Sequence, residues 1–161
     1  MSDLIYDRTQ SDIDHARELN RKLSSGTATE AERAEWDAGV KGALNAADLN
    51  RIETETALLR NRLEGYGYSI ALSCKTDWQE GAFPAAAELG RIRENINALQ
   101  AGFYSLPDWR EIARKYLPGG QEALDAEILN AEEWDLHALG VWVDRMAAAF
   151  VYAGEVYSGE V

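Results

Sequence analysis

A mainly α-helical fold, a bundle of three longer and about three shorter helices with a short β element at the C-terminus, is predicted by three features of the sequence. Apolar residues step by three and four along extended stretches, as a narrow packed seam requires. A Ser, Thr or Asn stands three residues ahead of an acid where several of those stretches begin, the pattern of a helix N-terminus. The final ten residues replace helix formers with a doubled pentad, Tyr152-Ala153-Gly154-Glu155-Val156 and Tyr157-Ser158-Gly159-Glu160-Val161. Tyr and Val suit a pleated surface, so this tail reads as a strand.

In chain order, Ser11 with Asp14 predicts a first helix carrying Ile13, Ala16, Leu19 and Leu23, stopped by Ser24-Ser25-Gly26. Thr29 with Glu32 is a capping box for a short helix that carries Trp36 and ends near Gly39. Asn45 with Asp48 opens the clearest helix, along which Leu49, Ile52, Thr56, Leu59 and Leu63 form one seam until Gly65. From Tyr66 to Trp78 the helical period is lost, and Tyr68, Ile70 and Leu72 alternate as in a second short strand near 68–73. Pro84 restarts a helix with Ala85, Leu89, Ile92, Ile96, Leu99 and Phe103 on one side. Leu106 to Pro118 holds a short helix with Trp109, Ile112, Ala113 and Tyr116, broken by Gly119-Gly120. Asn130 with Glu133 predicts the start of the last helix, with Leu136, Leu139, Val143, Met146 and Phe150 on its apolar face. The connections favour antiparallel neighbours within one chain.

A length of 161 residues fits one core, so residues 1–150 read as a single helical domain and 151–161 as a strand tail, either part of that unit or an assembly arm. The net charge of −12 opposes a phosphate backbone and excludes nucleic acid as the expected partner. The only basic concentration, Arg91, Arg93, Arg110, Arg114 and Lys115, reads as a solvated face. No apolar run is long enough to span a bilayer, and the N-terminus lacks the pattern of a secretory signal, so synthesis in a reducing cytoplasm is expected.

Few residues offer chemistry. His15 and His137 each lack a second ligand at metal-site spacing, and Asp12 with Asp14 reads as a helix first turn rather than a calcium loop. Cys74 has no neighbour that would activate it, so a packed thiol is the simpler reading. Gly119-Gly120-Gln121 matches the tripeptide of peptide release factors, but in an acidic chain it reads as a turn. Trp36, Trp78, Trp109, Trp134 and Trp142 are large anchors, more commonly used in cores than at interfaces. No catalytic residue, cofactor or metal is expected, and the chain reads as a non-enzymatic interaction module.

Four blocks point further: Tyr6-Asp7-Arg8-Thr9-Gln10-Ser11-Asp12, Gly42 through Glu53, Lys75-Thr76-Asp77-Trp78, and Met146 through Glu160. In these the chain resembles a tail-associated minor structural module of tailed bacteriophages and prophages of Gram-positive bacteria. The resemblance implies a non-enzymatic virion protein of the tail, baseplate or a fibre-like appendage, made in the host cytoplasm and partnered by other virion proteins. On this expectation the chain forms a homo-oligomer or heterocomplex through Tyr152, Glu155, Val156, Tyr157, Glu160 and Val161, the tail adding as a strand to a sheet edge. The competing reading is a cytoplasmic helical adaptor or regulator that binds a protein through a Trp-bearing face.

Overall fold

The structure, a computed structural model, describes residues 3–81, 84–110 and 125–158, the stretch after 150 by its backbone alone. Its helices are α1 (Gln10–Ser24), α2 (Glu30–Asp37), α3 (Ala46–Gly65), α4 (Ala86–Phe103) and α5 (Ala126–Ser158). The expected mainly helical bundle is present. Neither expected strand is seen: among the described residues there is no β-strand.

Local chemistry sets the helix ends. Capping boxes open α2 at Thr29/Glu32 and α3 at Asn45/Asp48, as the sequence predicts. The first helix is capped two residues earlier than expected, by Thr9 with Asp12, because Thr9 takes extended φ/ψ and its hydroxyl accepts from the Asp12 amide. The last helix also starts early, at Ala126, where the Asp125 carboxylate accepts the Ile128 amide at 2.9 Å. Asn130 and Glu133 are therefore interior residues of α5 and not its cap. α3 ends at Gly65 as expected, and just past it Gly67 takes φ +91° while its amide and that of Tyr68 close back on Glu64 and Leu63. The short helix expected over Leu106 to Pro118 is absent through Arg110, and the rest of that segment, with Gly119-Gly120-Gln121, lies outside the described residues.

The three long helices run parallel, against the antiparallel expectation. Near their starts Arg51 of α3 meets Glu133 of α5, and Glu53 of α3 meets Arg91 of α4. Near their ends Arg62 pairs with Asp144, and Tyr66 stacks on Phe150 with ring centroids 5.7 Å apart. Same-direction helices need connections that travel back the full length. A 20-residue helix spans about 30 Å, and ten extended residues cover about 33 Å, so the 68–78 segment suffices.

That returning segment accounts for the missing strand. Tyr68 packs edge-on against Phe103, Ile70 lies under Gly102, Ser73 reaches Asn95, and Trp78 reaches Asn50. Even-numbered residues from Tyr68 to Cys74 are at least partly buried, whereas Ser69, Ala71 and Ser73 are exposed. The alternation is present, but its partner is a groove between two helices.

The core follows the predicted seams. Leu49, Ile52, Leu59 and Leu63 of α3 pack with Ile92, Ile96 and Leu99 of α4 and Leu136, Leu139 and Val143 of α5. Each such burial contributes about 1.5–3 kcal/mol. A smaller cluster of Ala16, Leu19 and Val40, backed by Trp36, joins α1 to α2. Gly42 lets the following loop close on α1, because a Cβ there would lie 1.9 Å from the Asp12 carbonyl oxygen.

Candidate functional site

Extended segments lie along the helices at three places, and each is held by side chains that reach from a helix to its backbone amides. An extended segment without a strand partner leaves N–H groups that must be satisfied if buried. Residues 3–9 run along α5: the Ile5 amide donates to Glu133 Oε2 at 2.6 Å and the Arg8 amide to Asn130 Oδ1 at 3.0 Å. In the 68–78 segment the Lys75 amide donates to Glu53 Oε2 at 2.7 Å and the Trp78 amide to Asn50 Oδ1 at 2.8 Å. After α4, the Arg110 amide donates to Asp135 Oδ1 at 2.9 Å.

Two of the three buried acids that receive these amides are also ion-paired. Glu133 accepts from Arg8 Nη2 at 2.8 Å and from Arg51 Nη2 at 2.8 Å, and Asp48 binds the same two guanidinium groups. Burial works against the charge on Arg51, but the hydrogen bonds it donates to Glu133 and Asp48 outweigh that and raise its pKa. Glu53 is bound by Arg91 and accepts from Trp78 Nε1 at 3.0 Å; that carboxylate raises the Arg91 pKa. Asp135 differs. Its Oδ2 is buried and has no hydrogen-bond partner among the described residues, and burial pushes its pKa up to about 7, opposed by the Arg110 amide and then by the Arg110 charge.

These contacts assign roles to residues that the sequence left open or misread. Arg91 is paired and Arg93 is buried, so neither lies on a solvated face; Arg110 covers the Trp134 ring at 4.3 Å. Arg114 and Lys115 lie outside the described residues. His15 bonds Glu35 at 2.7 Å and ties α1 to α2, while His137 packs against the rings of Tyr6 and Trp134. Cys74 is half-buried, and burial, with Glu53 nearby, raises its thiol pKa. Trp78, Trp109 and Trp142 belong to the main core or its margin. Among the described residues no group of three or more His, Cys, Asp or Glu side chains is placed to hold a metal, and no helix is long and apolar enough to cross a membrane.

Among the described residues, large apolar side chains are exposed on the later half of the bundle. Phe150 is 60%, Tyr104 56%, Leu58 42% and Tyr66 41% exposed, and these are four of the five large apolar side chains with such exposure among the described residues. Tyr104 lies beside Trp142, with ring centroids 5.8 Å apart. Past Phe150, α5 continues as helix to Ser158, about 12 Å beyond the level at which α3 ends. The backbone at Tyr152, Glu155, Val156 and Tyr157 is thus helical, which corrects the expected strand. Ala147-Ala148-Ala149 are strong helix formers feeding directly into the tail, and one interior glycine, Gly154, costs only about 1 kcal/mol relative to Ala. Glu160 and Val161 lie outside the described residues.

The sequence did not reveal the buried acids, although a signal was present. Glu53 follows Ile52 and precedes Thr56 by three, and Glu133 precedes Leu136 by three, so both acids sit at core phase. Comparison with protein-family models, with curated proteins and with solved structures returns no match.

Proposed function

We propose that this chain is a non-enzymatic structural protein of a bacteriophage particle, an assembly module of the tail, baseplate or a fibre-like appendage that works through contacts with other virion proteins. The observation that carries the reading is the exposed aromatic end of the bundle, with α5 running on past it. Contiguous exposed apolar surface marks an interaction site. The buried charges, by contrast, are engaged in holding chain segments to helices.

The family resemblance supports the same reading. Its blocks at 6–12, 42–53 and 75–78 contain Arg8, Asp48, Arg51, Glu53 and Trp78, which join the returning segments to the bundle. Its last block covers the end of α5. In this proposal Tyr152, Glu155, Val156 and Tyr157 act from a helical backbone, so the tail joins its partner by packing rather than by strand addition, with Glu160 and Val161 lying outside the described residues.

Particles purified from cells that carry the gene provide the test. The chain is expected to co-sediment with tail-bearing particles and to resist a high-salt wash. Recovery only in the particle-free supernatant would refute the assignment.

A further inference from the structure

We infer that the hairpin of α1 and α2 is a hinged flap, which swings as one body against the three long helices about the end where Thr9 and Gly42 lie; this is independent of the virion reading. The hairpin is tied internally. His15 bonds Glu35 at 2.7 Å, Lys22 pairs with Glu32, and Ala16, Leu19 and Val40 form a cluster of their own backed by Trp36. A capping box holds the start of each of its helices. A unit fastened in this way moves without coming apart.

Its fastenings to the rest of the molecule lie at one end. Arg8, just ahead of α1, is bound by Asp48, Glu133 and Asn130. Lys41, just past α2, draws the two chain ends together through Asp7 at 3.0 Å and Asp12 at 3.7 Å, and Gly42 lies against the Asp12 carbonyl. From Ile13 to Ala38, by contrast, no hydrogen bond, ion pair or ring contact among the described residues reaches α3, α4 or α5.

The seam beyond that end is not closely packed. A cleft of about 340 Å³ lies between Ile13, Ala16 and Asn20 of α1 and Ala126 and Leu129 of α5, and another of about 230 Å³ lies between Trp36 and Val40 on one side and Leu49, Glu80 and Pro84 on the other. Protein interiors hold few voids larger than a water molecule, so clefts of this size leave the hairpin room to move. Trp36, Ala43 and Leu44 line both, and a swing therefore reshapes the two together. With its 15 residues α1 is about 22 Å long, so a turn of about 15° at its start carries the Ser24 end about 6 Å.

Pulsed electron–electron double resonance between spin labels on exposed sites tests this in the full chain carrying Cys74→Ser. Across the hinge, Ser24→Cys with Glu94→Cys is expected to give a distance distribution about 6 Å broader than either of two reference pairs. The references are Gln10→Cys with Glu30→Cys inside the hairpin and Glu94→Cys with Ala148→Cys inside the bundle. A distribution across the hinge as narrow as the references overturns the inference. Broadening of the pair inside the hairpin also overturns it, because the hairpin then comes apart instead of swinging. If a labelled chain loses its helical circular dichroism, nitrogen relaxation dispersion of the unlabelled chain decides. Amides of Ile13, Ala16, Trp36 and Ala43, beside the clefts, should then share one exchange rate on the μs–ms scale that Ile52, Ile96 and Leu139 lack, and flat profiles beside the clefts count against the flap.

Discussion

The two ends of the bundle solve opposite problems. At the starting end, Arg8, Asp48, Arg51, Asn130 and Glu133 close on one another, and the chain's own extended N-terminal segment occupies the surface of α5. At the far end the rings of Tyr66, Tyr104 and Phe150 are left to solvent and the longest helix runs on. Charged groups that are expensive to bury are tolerated where hydrogen bonds fix them, and they set which segment lies on which helix. Apolar groups that gain by burial are exposed where another surface can cover them. The contrast teaches that polarity of the interior is not a guide to chemistry here: the closed end is the charged one, and the open end is apolar.

The closed end should break hardest. Arg8→Ala leaves buried Asp48 and Glu133 with a single shared counter-ion, Arg51, and is expected to cost about 3–5 kcal/mol in urea denaturation, with little change in the aromatic end.

Asp135 sharpens the comparison among the three held segments, because it alone of the three amide-binding acids lacks an ion pair within the described residues. Its carboxyl is pushed up from 3.8 to about 7 by burial. A raised carboxyl keeps its proton in the folded state, so its contribution is fully present below about pH 4, falls as pH rises to about 7, and is flat above that. Asp135→Asn, which retains an acceptor for the Arg110 amide, should remove that fall. The variant is expected to gain stability over the parent by up to about 4 kcal/mol at pH 8, with the difference shrinking steadily toward pH 4.

A smaller effect is expected in the groove that holds the 68–78 segment. A Cβ at Gly102 would lie 2.7 Å from Ile70 Cγ1, so Gly102→Ala must shift the Ile70 side chain or the segment that carries it and should cost about 1–3 kcal/mol. Trp78 fluorescence and the melting temperature report it together. The least effect on the isolated fold belongs to the open end: Phe150→Ser should change stability by less than about 1 kcal/mol, measured in dilute solution, while co-sedimentation with particles is lost.

Much of this architecture was legible in the residues. The seam from Leu49 to Leu63 and the caps at Thr29 and Asn45 are local patterns, and local patterns survive because each is fixed within two turns of helix. Asn130 with Glu133 has the same spacing as a cap but is interior, since two polar residues three apart also share a helix face that can receive an incoming segment. Alternation at Tyr68, Ile70 and Leu72 announced an extended chain buried on one side; only tertiary structure could say that helices α3 and α4 lie beneath it. Helix direction was illegible for a related reason, because a long connection serves either a turn or a full return, and the contacts that accompany the return, such as Glu53 with Arg91, join residues far apart in sequence. At the candidate assembly surface, Tyr152 to Tyr157 were singled out by composition, but Tyr66 and Tyr104 were not, because they arrive from distant parts of the chain.

Residue-resolved amide hydrogen exchange tests the contrast most directly. The amides of Ile5, Arg8, Lys75, Trp78 and Arg110 lie outside every helix yet each has a side-chain acceptor, so they should exchange as slowly as amides of the bundle at every protein concentration. Amides from 152 to 158, helical but past the level at which α3 ends, should exchange faster than amides of the bundle. Exchange of the five held amides at the rate of free loops, or protection of 152–158 equal to that of the bundle amides, would contradict a closed end and an open one.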